Sequence, residues 1–102
     1  MDNPSLSLDK LLLLPIRLAA IAHLDRAGGT APLTEIRAVV GKPSHALMCM
    51  HNRVLEGAAY IEQQKYFEGR VPRTRLVLAA RGRDAFHRHR AALAYLTEEE
   101  VA

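Results

Sequence analysis

Two apolar, strand-like runs, Tyr60 to Lys65 and Arg73 to Leu78, flank the turn Phe67-Glu68-Gly69-Arg70-Val71-Pro72, and this pair constrains the fold more than any other stretch of the chain. A turn that mixes Gly, Pro and Arg between two such runs makes an antiparallel hairpin with a cationic tip. The half of the chain before it reads as helical. An α+β arrangement follows, in which helices and a single hairpin share one core.

Upstream, Leu6 to about Leu24 is rich in Leu and Ala, and Pro15 suits the first turn of a helix. Ile16, Ala19, Ala20, His23 and Leu24 recur at helical spacing until Gly28-Gly29, which predicts a buried first helical segment over 6–27. Thr34 can cap a second helix through Glu35, Ile36, Val39 and Val40, stopped by Gly41. Ser44 can cap a third after the Lys42-Pro43 turn. Helix, Gly-containing turn, helix over 34–57 is a helix-turn-helix. In the third helix Leu47, Met48, His51, Val54 and Leu55 form the stripe expected to face the core. His45, Ala46, Cys49, Met50 and Arg53 then lie on the free face, with Asn52 at its edge. Gly57 releases the chain into the hairpin, over 60–78. Arg81-Gly82-Arg83 leads into a last helix over 81–97, where Ala85, Phe86, His89, Leu93 and Leu96 repeat at near-heptad spacing. An apolar stripe on a terminal helix predicts contact with an identical chain.

One domain over 1–102 accounts for these elements, and a core this small has little surplus stability, so self-association would help it. The formal net charge of +3 is unevenly placed: Arg70, Arg73, Arg75, Arg81, Arg83, Arg88 and Arg90 crowd one third of the chain, and Glu98-Glu99-Glu100 close it. Arginine suits phosphate because the guanidinium fork matches two phosphate oxygens. Cys49 is the sole cysteine, which excludes an intrachain disulfide and fits a reducing compartment, the cytoplasm. The Leu11-Leu12-Leu13-Leu14 run is short, preceded by Asp2 and Asp9 and broken by Pro15 and Arg17, so neither a signal peptide nor a membrane span is expected.

Leu8-Asp9, Pro15-Ile16-Arg17-Leu18 with Ile21 and Leu24, Leu55 to Ile61, Lys65 through Thr74, and Gly82-Arg83-Asp84-Ala85-Phe86 together resemble the small winged helix-turn-helix regulators related to the MarR and ArsR groups. The Phe-Glu-Gly-Arg-Val-Pro-Arg-Thr wing is the most specific part of the likeness, which spans nearly the whole chain. The resemblance implies a bacterial or archaeal transcription regulator, a winged-helix homodimer joined through its terminal helices. The chain differs from the group in the apolar Ala46, Cys49 and Met50 on its third helix, in Asn52 where an apolar residue is common, and in Ala79-Ala80-Arg81 in place of a Thr-Pro-Glu cap.

Arg70 and Arg73 flank Pro72, which restrains the loop, and are the foremost expected contacts to DNA, with Lys65 and Arg75 on the adjoining strands. On the third helix Arg53 can reach a phosphate, while Ser44, His45 and Asn52 offer polar groups to backbone or base edges. Leu11, Leu12, Phe86, His89, Leu93 and Leu96 are the expected dimer contacts. His45, Met48, Cys49, Met50 and His51 gather soft ligands, yet only His45 and Cys49 share a face, so neither metal nor cofactor is expected. His87 and His89 lie two apart on a helix and cannot converge on one ion. Ser5, Ser7 and Ser44 have no base set beside them by a motif and no Gly-rich phosphate cradle occurs, which argues against an enzyme. Two functions fit: a transcription regulator that binds double-stranded DNA as a homodimer, and a module whose third-helix face binds a partner protein.

Overall fold

The computed structural model describes residues 7–98. Leu6, where the first helical segment was expected to start, and Glu99-Glu100 of the acidic run lie outside them. A 3-10 turn (Lys10–Leu13) precedes α1 (Pro15–Arg26), β1 (Thr30–Pro32), α2 (Leu33–Val39), α3 (His45–Gly57), β2 (Ile61–Glu68), β3 (Val71–Leu78) and α4 (Ala80–Glu98). The strands form one antiparallel sheet in the order β1-β3-β2. Leu12, Ile21, Leu24, Ile36, Met48, Leu55 and Leu76 are almost wholly buried between helices and sheet. Each such side chain contributes about 1.5–3 kcal/mol on leaving water.

Pro15 opens α1 as expected, and the Ser44 hydroxyl accepts a hydrogen bond from the Leu47 N–H at 3.1 Å to cap α3. Thr34, by contrast, caps nothing. Pro32 ends β1 in extended conformation and α2 follows at once, so Thr34 falls inside its first turn. The strand β1 carries no signal in the sequence, since three residues are too few to establish an alternation.

The buried face of α3 is Met48, His51, Asn52 and Leu55, at i, i+3, i+4 and i+7, while Leu47 is 39% exposed. The stripe is therefore rotated toward Asn52, away from Leu47 and the half-buried Val54. Hydropathy selected Leu47 and passed over Asn52; the helical repeat places residue 52, not 47, on the arc of Met48, His51 and Leu55. His51 is held there by Arg17 of α1, whose Nε donates to its Nδ1 at 2.9 Å.

The stripe on α4 also finds its partner within the chain. Phe86 is 6%, His89 1% and Leu12 0% exposed, which removes all three from any surface available to a second copy. The physical reason is that α1 packs against α4 and the N-terminal segment closes on His89: the Asp9 backbone N–H donates to His89 Nδ1 at 2.9 Å, and the Asp9 carboxylate accepts from the Tyr60 hydroxyl. Gly82 is required where α4 crosses the start of the hairpin, because a Cβ there would lie 2.2 Å from the Tyr60 carbonyl oxygen. Leu11 is partly buried against the core and Leu93 is half-buried. Beyond Ala92 no described residue of α4 is buried, and Leu96 is 37% exposed.

Candidate nucleic-acid interface

The helix-turn-helix is braced from both sides. Arg37 of α2 donates from Nε to the Pro43 carbonyl at 2.7 Å, tying the end of α2 to the turn that leads into α3. His23 of α1 meets Glu35 of α2 at 2.7 Å. The free face of α3 presents His45, Ala46, Leu47, Met50 and Arg53, with Cys49 half-exposed among them. Ser44 spends an acceptor lone pair on its cap but keeps its O–H to donate. Asn52, expected at the edge of this face, is 0% exposed, so no base edge is within its reach.

The hairpin is longer than its apolar runs. Its strands continue through Glu68 and Val71, leaving only Gly69 and Arg70 as the turn. Gly69 has φ +64° and Arg70 a negative φ, the pattern of a type II′ turn that matches the twist of the strands. Burial is confined to the base, at Ile61, Leu76 and Leu78, so the distal ladder projects from the core with Arg70 at its tip.

Residues opposite one another across an antiparallel pair share a face, and neighbours along a strand alternate. Ile61 faces Leu78, Gln63 faces Leu76, Lys65 faces Thr74 and Phe67 faces Pro72, which sets Lys65 and Phe67 on the face that continues from the core. Lys65 donates from Nζ to Thr74 Oγ1 at 2.8 Å, and Phe67 is 73% exposed. Gln63, on this same face, gives both its backbone N–H and its side-chain amide to the Glu56 carboxylate of α3, at 3.0 and 3.1 Å. Tyr66, Arg73 and Arg75 occupy the other face. The four cations predicted on the wing are thus divided: Lys65 on the side that meets α3, Arg70 at the tip, Arg73 and Arg75 on the outer side.

Helix-turn-helix, three-stranded sheet, projecting hairpin and closing helix are matched over residues 16–97 by the family model described as a winged helix DNA-binding domain. The chain belongs to that family. A solved structure described as a transcriptional regulator homologue from Pyrococcus horikoshii OT3 is similar to this winged helix domain, with a TM-score of 0.77 and 25% identity over 87% of this chain and 86% of that one. A search of curated proteins finds no match.

On the outer face of this wing, Arg73 Nε stands 3.8 Å from Glu68 Oε2, both well exposed, an ion pair worth little in water. Arg75 is held more firmly, its guanidinium carbon 4.0 Å from the centroid of the Tyr66 ring. On α3, His45 Nε2 and Cys49 Sγ are 3.4 Å apart, as their spacing suggested. Among the described residues no group of three His, Cys, Asp or Glu side chains could hold a metal ion, and no helix is long and apolar enough to cross a membrane. His89 is buried on Asp9 while His87 faces Asp25 at 3.4 Å, so the two histidines diverge.

Two polar junctions escaped the sequence reading, Arg17 with His51 and Asp9 with Tyr60 and His89. Burial, joined by the Arg17 charge, lowers the His51 pKa. Burial also lowers that of His89, opposed by the Asp9 carboxylate. The Tyr60 hydroxyl is pushed up to about 12, by burial first and then by Asp9. Each histidine accepts at Nδ1 and is neutral, with its proton on Nε2. These junctions hold α3 and α4 in position. Their only trace in the sequence was polar residues at core spacing.

Proposed function

We propose that this domain is a transcription regulator, working in the cytoplasm, that binds duplex DNA as a homodimer. In this reading α3 enters the major groove and the wing reaches the neighbouring backbone or minor groove. The observation that carries it is the bond pair from Gln63 to Glu56, which fixes the Lys65 side of the wing against α3. Cationic wing and free helix face thereby form one surface. Arg53, Lys65 and Arg70 contact phosphates, Ser44 donates its O–H to the backbone, and His45 supplies the polar group for a base edge. Affinity comes mainly from phosphate and sequence preference is modest, because Ala46, Leu47 and Met50 carry no hydrogen-bonding side-chain group. The exposed Leu96 and Tyr95, with Leu93 and Leu11 beside the core, provide the contact between copies.

The second reading, a protein-interaction module, is favoured by one observation: Leu47 and Met50 are 39% and 41% exposed on the free face of α3. A salt series of binding to random duplex DNA separates the two. The regulator loses affinity steeply as salt rises, because each phosphate contact releases counterions. Absence of binding at low salt would refute it in favour of the interaction module.

A further inference from the structure

The α3 side of the wing ends in an aromatic ring that the fold does not use. Phe67 is 73% exposed, more than any other large apolar side chain described, and it stands across β2 and β3 from Pro72, which is exposed too. Gln63 sends its backbone N–H to Glu56 rather than to β3, so Gln63 and, by alternation, Phe67 occupy non-hydrogen-bonded positions of the ladder, where facing side chains stand closest. Pro72 has no N–H to give and suits such a position, and its ring stiffens the backbone opposite Phe67. Along β2, Phe67 lies about 13 Å beyond Gln63 at the rise of a β-strand, with Lys65 midway. The hairpin sets no carboxylate beside it: Lys65 and Phe67 are faced by Thr74 and Pro72, while Glu68 lies on the other side with Arg73. An exposed aromatic ring thus stands between the Lys65 ammonium and the Arg70 guanidinium of the tip.

We propose that Phe67 is a wedge that enters the minor groove of duplex DNA, parts the stack at one base step and bends the duplex. The inference rests on the DNA-binding reading and adds a source of sequence preference to it. With α3 in the major groove, a reach of about 13 Å carries Phe67 past the phosphate strand that Lys65 meets and to the edge of the minor groove. That groove is about 6 Å wide, too narrow for a hairpin but open to single side chains. Arg70 can enter it as a cation. A phenyl ring has no hydrogen bond to offer there, and leaves water only by sliding between bases that separate for it. Cations on both sides of the ring suit a polyanion, and disfavour a second copy of a chain whose own net charge is +3. Parting a step is easiest at pyrimidine–purine steps such as TA and hardest in stiff A-tracts. The wedge therefore selects DNA by deformability, where Ala46, Leu47 and Met50 of α3 have no hydrogen bonds with which to select it by base edges.

The test uses the full chain and two duplexes of equal length, one rich in TA steps and one an A-tract, each carrying 2-aminopurine and end labels for energy transfer. Anisotropy follows binding, 2-aminopurine fluorescence follows unstacking, and energy transfer follows bending. The parent chain should bind the TA duplex about tenfold more tightly than the A-tract, and should raise the fluorescence and bend only the former. Phe67→Ala should remove the preference, the fluorescence rise and the bend, with an unchanged circular dichroism spectrum because the ring is exposed. Phe67→Leu keeps a side chain able to wedge and should retain most of all three. Neither variant should alter the salt slope, since no phosphate contact is lost, whereas Arg70→Ala lowers it by about 0.9. Binding without a fluorescence rise, or a rise and bend that survive Phe67→Ala, overturns the wedge and leaves the DNA-binding reading standing. A change of oligomeric state on Phe67→Ala would assign the ring to a contact between copies, and overturns the wedge as well. No binding of either duplex at low salt overturns both.

Discussion

Lowering the pH below 6.5 should destabilise this domain through two buried histidines. His51 accepts from Arg17 Nε and His89 from the Asp9 N–H, both at Nδ1 and both at 2.9 Å, so a proton added to either ring displaces the bond that holds it. Both rings are buried, at 7% and 1% exposure, and both have pKa values lowered from 6.5. The sign follows from linkage. Below pH 6.5 the unfolded chain takes up protons on these rings that the folded chain refuses, so stability is complete above that value and falls as pH drops toward the native pKa values. Where both unfolded rings are charged and both folded rings neutral, each contributes a slope of about 1.4 kcal/mol per pH unit, hence about 2.7 kcal/mol for the pair. A domain of this size has only about 5–15 kcal/mol to lose. Urea unfolding followed by circular dichroism between pH 7.5 and 5.0 measures the slope, and His51→Gln and His89→Gln should each remove about half of it. A midpoint that does not move across this range, or a slope that survives in the double variant, would refute the argument.

Three further outcomes are expected. Arg70→Ala should flatten the dependence of log affinity for duplex DNA on log salt by about 0.9, the contribution of one phosphate contact, with an unchanged circular dichroism spectrum; an unaltered slope takes the wing tip off the DNA. Gly82→Ala should cost about 1–3 kcal/mol or more in urea unfolding, because the new Cβ would lie 2.2 Å from a backbone oxygen that has no freedom to yield, and a variant as stable as the parent contradicts that packing. Leu96→Asp should abolish the proposed pairing of copies, giving monomers by light scattering, while leaving the unfolding midpoint of the monomer intact, since Leu96 is 37% exposed; a parent chain already monomeric at micromolar concentration ends the dimer proposal.

The hairpin, the helix-turn-helix and the last helix were legible because each rests on a local rule: alternation, a Ser cap, Gly at the ends. The hairpin's span was read correctly, but its two strands were ended too early, at Lys65 and Arg73, because Glu68, Gly69, Arg70 and Pro72 carry turn and charge signals, while backbone pairing continues to Glu68 and Val71. The α3 stripe was read one step off because hydropathy cannot foresee that an Asn will be taken inside. The near-heptad on α4 was real, yet spacing does not say which surface covers it, and Phe86 and His89 are buried within the chain, where α1 packs on α4 and Asp9 bonds His89. At the candidate interface, Arg70 and Arg53 were visible as exposed cations. The division of Lys65 from Arg73 and Arg75 was not, because it depends on strand register.

That register makes the wing a two-sided blade whose chemistry can be turned over without replacing any of its residues. Lys65 and Phe67 look toward α3 while Tyr66, Arg73 and Arg75 look outward, solely because side chains alternate along β2 and β3. One residue inserted into β3 on the tip side of Leu76 would leave the buried base in place and rotate Arg73 and Arg75 to the α3 side, beside Lys65. A single codon gained or lost there would exchange an outward-facing cation pair for one on the α3 side. Descent within such a family can thus rewire what a wing touches through its length, while every residue type on it stays the same.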